Sequence, residues 1–274
     1  MKNILLYTSL MLLGLAACEE KPVVIPDLVV GDRVVLVEEL TGVNCPNCPD
    51  GTKQLQGLQE TFGKDKLVLV AIHTHLTGAF SNLLPTSKED FATPETDALV
   101  AGISAIEAVP SAAVNRVEKA GETTLFLGPT NWNALINEQI QQQPTIGLFM
   151  ETTYNTDART LTIDIDLAPD NTLTGEHRLT VYVTQDSIVD AQNINGYKEP
   201  NYVHRHILRD VISSTSGDLI TEPLTGGDLI RKSYQVVLPA AWDDRHCSVI
   251  AFVHRGTGFD NKEVLQAVEK HVVD

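Results

Sequence analysis

The 274 residues carry a formal net charge of −16 and a hydrophobic share of 43%. That length suits one large domain or two ordinary ones, and that apolar share is normal for a chain that buries a core. Acidity spread along the whole chain argues against nucleic acid as a partner and against docking on anionic lipid head groups.

The chain opens with MKNILLYTSLMLLGLAAC, in which Lys2 precedes an apolar run from Ile4 to Ala17. The run is too short for a permanent span and reads as a signal peptide over residues 1–17. It ends in Leu15-Ala16-Ala17-Cys18, which resembles a bacterial lipobox. The resemblance implies that Cys18 is lipidated and becomes the mature N-terminus, anchored by acyl chains worth ~0.8 kcal/mol per buried CH₂. Residues 18–30 read as an extended tether. Its Glu19-Glu20 pair resembles the surface-export signals of Bacteroidota lipoproteins.

From residue 31 strand and helix signals alternate. RVVLVEEL (Arg33–Leu40) is rich in strand formers, and PDGTKQLQGLQETFG (Pro49–Gly63) places Leu55, Leu58 and Phe62 at helical spacing with a closing glycine. KLVLVAIHT (Lys66–Thr74) is the near-continuous apolar run of a strand buried on both faces. This order predicts a right-handed βαβ unit. An inserted loop is expected over Leu76–Pro94, a helix over Pro94–Val109, a strand over Ser111–Val117 and a helix over Pro129–Gln143. After Pro144 the pattern changes to repeated strands with polar turns. Leu161, Ile163, Ile165 and Leu167 alternate with polar residues as in a half-buried antiparallel strand. EVLQAVEKHVV near the C-terminus is taken as a strand from this context. Residues 31–143 are therefore expected to form an α/β domain and residues 144–274 an all-β sandwich.

There are four cysteines. If Cys18 carries lipid, Cys45 and Cys48 are left to pair with each other, and Cys247, in an apolar strand-like run, is expected to be an inert core residue. The stretch ELTGVNCPNCPDG puts Cys45 and Cys48 between a strand and a helix. A helix N-terminus lowers a thiol pKa, so Cys45 is expected as the exposed attacking thiol and Cys48 as its resolving partner. A zinc or copper site made of Cys45, Cys48, His73 and His75 is the alternative, since both histidines would share a sheet face if their strand continued. A quiet structural disulfide is a third reading. In NYVHRHILRD, His204 and His206 flank Arg205, and a solvated sheet face carrying both is expected, with a binding contact as the alternative.

Three features together resemble the thioredoxin fold: the CPNC between strand and helix, Glu39 six residues before Cys45, and VPSAAVNR opening with Val109-Pro110. The resemblance implies that Glu39 is a buried acid that moves the proton of the buried thiol. It also implies that Val109 and Pro110 form a cis-proline loop whose backbone holds an extended substrate strand. Many relatives of thioredoxin carry Trp before the first cysteine, and here it is Asn44. Taken with HTHLTGAFSN, YVHRHILRD and EVLQAVE, these motifs resemble the Omp-twenty-eight-related outer-membrane lipoproteins of Bacteroidota over nearly the whole mature chain. That implies a thioredoxin-like domain followed by an immunoglobulin-like sandwich on a lipid-anchored outer-membrane protein. The expected activity is thiol–disulfide exchange with the thiols or disulfides of envelope proteins, without a cofactor. The alternative is a surface binding or adhesion protein with a non-catalytic thioredoxin-like scaffold.

Overall fold

The computed structural model describes residues 31–256 and 262–273. The expected leader, the expected lipidation site Cys18 and the expected tether lie outside the described residues. In chain order the strands are β1 (Val35–Thr41), β2 (Leu67–His73), β3 (Ser111–Val114), β4 (Ile146–Asn155), β5 (Thr160–Pro169), β6 (His177–Gln185) and β7 (Ile188–Ile194). They continue with β8 (Tyr197–His204), β9 (Ile207–Val211), β10 (Asp218–Leu219), β11 (Ile230–Val237), β12 (Cys247–Arg255) and β13 (Val264–His271). The helices are α1 (Cys48–Phe62), α2 (Pro94–Ile103) and α3 (Pro129–Ile140).

β1, α1 and β2 form the expected parallel unit, with Val35 opposite Leu67 and Thr41 opposite His73. β3 lies antiparallel on the other side of β1. Alternation assigns the faces. Val35 and Val37 pack with Leu55 of α1 and Trp132 and Ile136 of α3, while Leu36 and Leu40 pack with Leu99, Val100 and Ile103 of α2. A strand covered on both faces must be apolar throughout, which is why β2 shows no polar alternation.

Pro144 lies between α3 and β4, and the main sheet runs across it. Its order is β13-β12-β6-β9-β2-β1-β3. The joint is narrow. Ala71 of β2 pairs with Ile207 of β9, and the Ala71 amide donates to the His206 carbonyl at 2.8 Å. A second sheet, β11-β5-β4, covers the outer strands. Leu161, Ile163, Ile165 and Leu167 meet Val181, Val183, Val249 and Ala251 in one core. On the opposite face of β6 and β12, Tyr182, Ile250 and Phe252 complete the core of the α2 side.

Two expected elements end early. α2 stops at Ile103 because Ser104 is extended and its hydroxyl accepts from the Leu125 amide at 3.1 Å. β3 stops at Val114 because Asn115 and Arg116 take positive φ, 45° and 52°. Asn115 then caps the edge of β1, its Oδ1 accepting from the Leu36 amide at 2.8 Å. One hairpin was not anticipated from sequence. Among the described residues β7 and β8 pair only with each other, and they join through Asn195 and Gly196, both at positive φ (50° and 94°). Asn-Gly is a strong two-residue hairpin signal, and it is present in QNINGYK.

Candidate functional site

Cys45 and Cys48 are joined by a disulfide, with their Cα atoms 5.4 Å apart. Cys48 is the first residue of α1, Pro49 lies in its first turn and Asn47 is the N-cap. Cys45 precedes the helix in a turn closed by its own amide donating to the Gly42 carbonyl at 3.0 Å.

Glu39 lies beneath the helix. It is 3% exposed and accepts one hydrogen bond, from Thr52 Oγ1 at 2.9 Å. Thr52 stands four residues after Cys48, one turn along the same face of α1. Burial raises the Glu39 carboxyl to about 8, and the Thr52 bond offsets only part of that rise. Its neighbour Glu38 faces the other way and is paired. Arg116 Nε and Nη2 donate to its two oxygens at 2.7 Å each, and the Tyr182 hydroxyl donates at 3.0 Å. The Val109–Pro110 peptide bond is cis. The Pro110 ring packs on α1 at Gly51, where an added Cβ would come within 2.8 Å of the Pro110 Cβ and 3.3 Å of the Trp132 ring. The structure thus brings Cys45, Cys48, Glu39 and the Val109-Pro110 loop to one end of α1.

It corrects the expected exposure. Cys45 and Cys48 are each 1% exposed, and the β7–β8 hairpin lies across the loop from Gly42 to Pro46. The Asn193 amide donates to the Val43 carbonyl at 2.8 Å and the Asn195 amide to the Pro46 carbonyl at 3.0 Å. Gln192 Nε2 donates to the Gly42 and Cys45 carbonyls at 3.2 and 3.1 Å. Asn44 is part of this contact. Its Oδ1 accepts from Lys198 Nζ at 2.7 Å and from Asn193 Nδ2 at 3.2 Å. A polar anchor therefore stands where the thioredoxin resemblance implies an apolar cover. Gln192, Asn193 and Lys198 were not anticipated as site residues.

His73 and His75 do not share a face, because β2 ends at His73. His75 begins a 3₁₀ turn and is exposed, with its ring nitrogens 2.9 Å from Asp97 and 3.3 Å from Asp90. Those carboxylates, Asp97 first, raise its pKa. His73 is buried, with its ring against Phe91 and near His204, and its Nε2 has no hydrogen-bond partner among the described residues. Burial holds it neutral. Among the described residues no three His, Cys, Asp or Glu side chains are placed to hold a metal ion.

His204 and His206 are not a solvated pair either. His206 takes φ 56°, which breaks the strand and separates them. His204 is buried and lowered by that burial to about 4. With His73, Tyr202, Thr52 and Gln192 it lines a cavity of about 10 Å³, roughly one water in size. Cys247 is a buried free thiol, pushed up by burial to about 12.

The family model for outer membrane protein Omp28 matches residues 101–274. The chain belongs to the Omp28 outer membrane protein family. No curated protein sequence matches it. Among solved structures, HBP35 of Porphyromonas gingivalis superposes with a TM-score of 0.72 at 18% identity, over 88% of this chain and 76% of its own. Protein AGR_C_4864 from Agrobacterium tumefaciens superposes with a TM-score of 0.56 at 14% identity, over 89% of this chain and 97% of its own. At these identities the likeness is one of fold. The Omp28 match begins within α2, so the disulfide and Glu39 lie before the matched segment, while Pro110 and the hairpin lie inside it.

Proposed function

We propose that this Omp28-family protein is a lipid-anchored envelope protein whose Cys45–Cys48 disulfide exchanges with the thiols or disulfides of other envelope proteins. In this reading residues 31–143 are thioredoxin-like, residues 144–274 contribute an immunoglobulin-like sandwich, and Cys18 carries the lipid. The observation that carries it is the buried Glu39, whose hydrogen-bond donor Thr52 stands one helical turn after Cys48 on α1. A carboxyl raised to about 8 carries a proton near neutral pH and can give it up, as exchange requires.

Starting from the disulfide, a substrate thiolate attacks Cys45 Sγ and the Cys45–Cys48 bond breaks. The electron pair leaves on Cys48, whose thiolate takes a proton from Glu39. A second substrate thiolate then attacks the substrate sulfur of the mixed disulfide, and Cys45 leaves as thiolate. The substrate dithiol has lost two electrons and the cysteine pair has gained them. The reverse direction runs through the same steps. The backbone at Val109 beside Pro110 would hold the substrate strand. Insulin reduction by dithiothreitol tests this reading. The wild type is expected to accelerate it and Cys45→Ser to abolish the acceleration. A wild type no faster than dithiothreitol alone overturns it.

The burial of both cysteines favours a second reading, a surface binding protein in which the α/β part is a scaffold. There the disulfide would stay intact, and Cys45→Ser would leave the protein's role in cells unchanged.

A further inference from the structure

The tip of the β7–β8 hairpin supplies a hydrogen-bond donor to every backbone carbonyl from Gly42 to Pro46. Gln192 Nε2 serves Gly42 and Cys45, and the Asn193 and Asn195 amides serve Val43 and Pro46. Asn193 Nδ2 serves Asn44 at 3.2 Å. These backbone contacts are neutral amide bonds, the weaker class of hydrogen bond, and the one charged donor at the tip, Lys198 Nζ, meets the Asn44 side chain at 2.7 Å.

The base of the hairpin is held differently. Asp190 is buried, and its carboxylate accepts from the Lys88 amide at 2.9 and 3.1 Å and from the Glu89 amide at 3.1 Å. His204 Nε2 sits 3.3 Å from the Ala191 carbonyl. A register shift between Asp190 and Gln192 marks a bulge, which turns the tip relative to the base. The two strands pair with neither larger sheet, and Val189, Tyr197 and Val203 leave apolar surface exposed. A two-stranded ribbon paired with neither larger sheet is marginal alone. Ile188 at its base packs with Phe91 and Ile207, whereas the buried tip residues Gln192 and Asn193, 2% and 7% exposed, are polar, so lifting the tip costs less than opening the core.

We propose that residues 192–198 form a lid built into the chain, anchored at Asp190 and lifting at its tip, and that the disulfide is chemically accessible only when the lid is raised. What this means for function rests on the exchange reading, because a lid matters only over a reactive pair. Its consequence is that reaction with bulk thiols and disulfides is slowed to the rate at which the tip lifts, and is fastest with partners that meet or displace the raised tip.

The test reads chemical access rather than turnover. The full chain is exposed to tris(2-carboxyethyl)phosphine under native conditions and the reduced fraction is followed by mass. Wild-type reduction is expected to be more than ~100-fold slower than in the denatured chain. Gln192→Ala, which removes the donors to Gly42 and Cys45, is expected to speed native reduction roughly tenfold. Hydrogen exchange on the wild type gives a measurement free of any folding defect in the variant. The Asn193 and Asn195 amides should exchange well ahead of core amides such as Val249. Native reduction as fast as in the denatured chain, Gln192→Ala no faster than wild type, or Asn193 exchanging only through global unfolding would each overturn the lid. A lid that passes while the wild type is no faster than dithiothreitol alone in insulin reduction leaves the lid standing and removes the exchange function.

Discussion

Glu38 and Glu39 are neighbours on β1 that face opposite sides of the sheet. Glu38 is paired with Arg116 and Tyr182, whereas among the described residues Glu39 is bonded by Thr52 alone. Glu39 is legible in the sequence as an acid six residues before Cys45. The role of Glu38 is not, because its partners stand 78 and 144 residues away, and alternation gives a face but no partner. The raised carboxyl of Glu39 has a signed consequence. Between about 4.5 and about 8 the folded state holds a proton that the unfolded state has lost, so this group's contribution to stability falls as pH rises through that window. The buried histidines act in the opposite sense. His204 is lowered to about 4 and His254 to about 3, both chiefly by burial, so stability present above pH 6.5 is lost as pH falls toward those values. Thermal unfolding is therefore expected to show greatest stability near pH 6.5. Glu39→Gln should remove the decline above it, gaining up to roughly 5 kcal/mol by pH 9 and little at pH 4. Two glycines of α1 make a paired test. Gly51→Ala drives a Cβ into Pro110 and Trp132 and should cost about 1–2 kcal/mol. Gly57→Ala meets nothing within 4 Å and should gain up to about 1 kcal/mol. Denaturant midpoints read both.

At the level of elements, local chemistry writes itself into the sequence and docking does not. α1 and β2 follow from apolar spacing, and the β7–β8 turn is carried by Asn195-Gly196. That the hairpin tip lands on residues 42–46 follows from contacts about 150 residues apart, which no local pattern reports. The same limit applies to α2. Its apolar spacing extends through Ile106, and Ile106 does pack on the core, but from an extended segment fixed by Ser104. Asp190 is the element-level anchor. Asp190→Ala leaves the Lys88 and Glu89 amides without their acceptor and should cost about 3 kcal/mol. Limited proteolysis should then cut within residues 186–206 well before the rest of the chain, where the wild type resists.

Across the whole molecule, the two stretches on either side of Pro144 share one sheet and one core. Arg116, from the loop after β3, lies 5.0 Å from the Phe252 ring centroid, and Arg33 donates to the Val264 carbonyl at 2.9 Å. The change from mixed to all-β patterning at Pro144 is legible. The joint between β2 and β9 is not, since it rests on a single Cα pairing. A fragment of residues 31–143 would lack Tyr182, Leu208, Ile250 and Phe252 from the α2-side core. It is expected to show no cooperative unfolding transition, whereas the chain from residue 31 to its end unfolds cooperatively. The most direct test of the central claim, that Cys45 exchanges disulfides with envelope proteins, is to trap the intermediate. Cys48→Ser in the full chain, expressed in the native cell and quenched with an alkylating agent, should yield dithiothreitol-sensitive adducts that disappear in Cys45→Ser/Cys48→Ser. Cys48→Ser protein with no adduct beyond the double variant would contradict it.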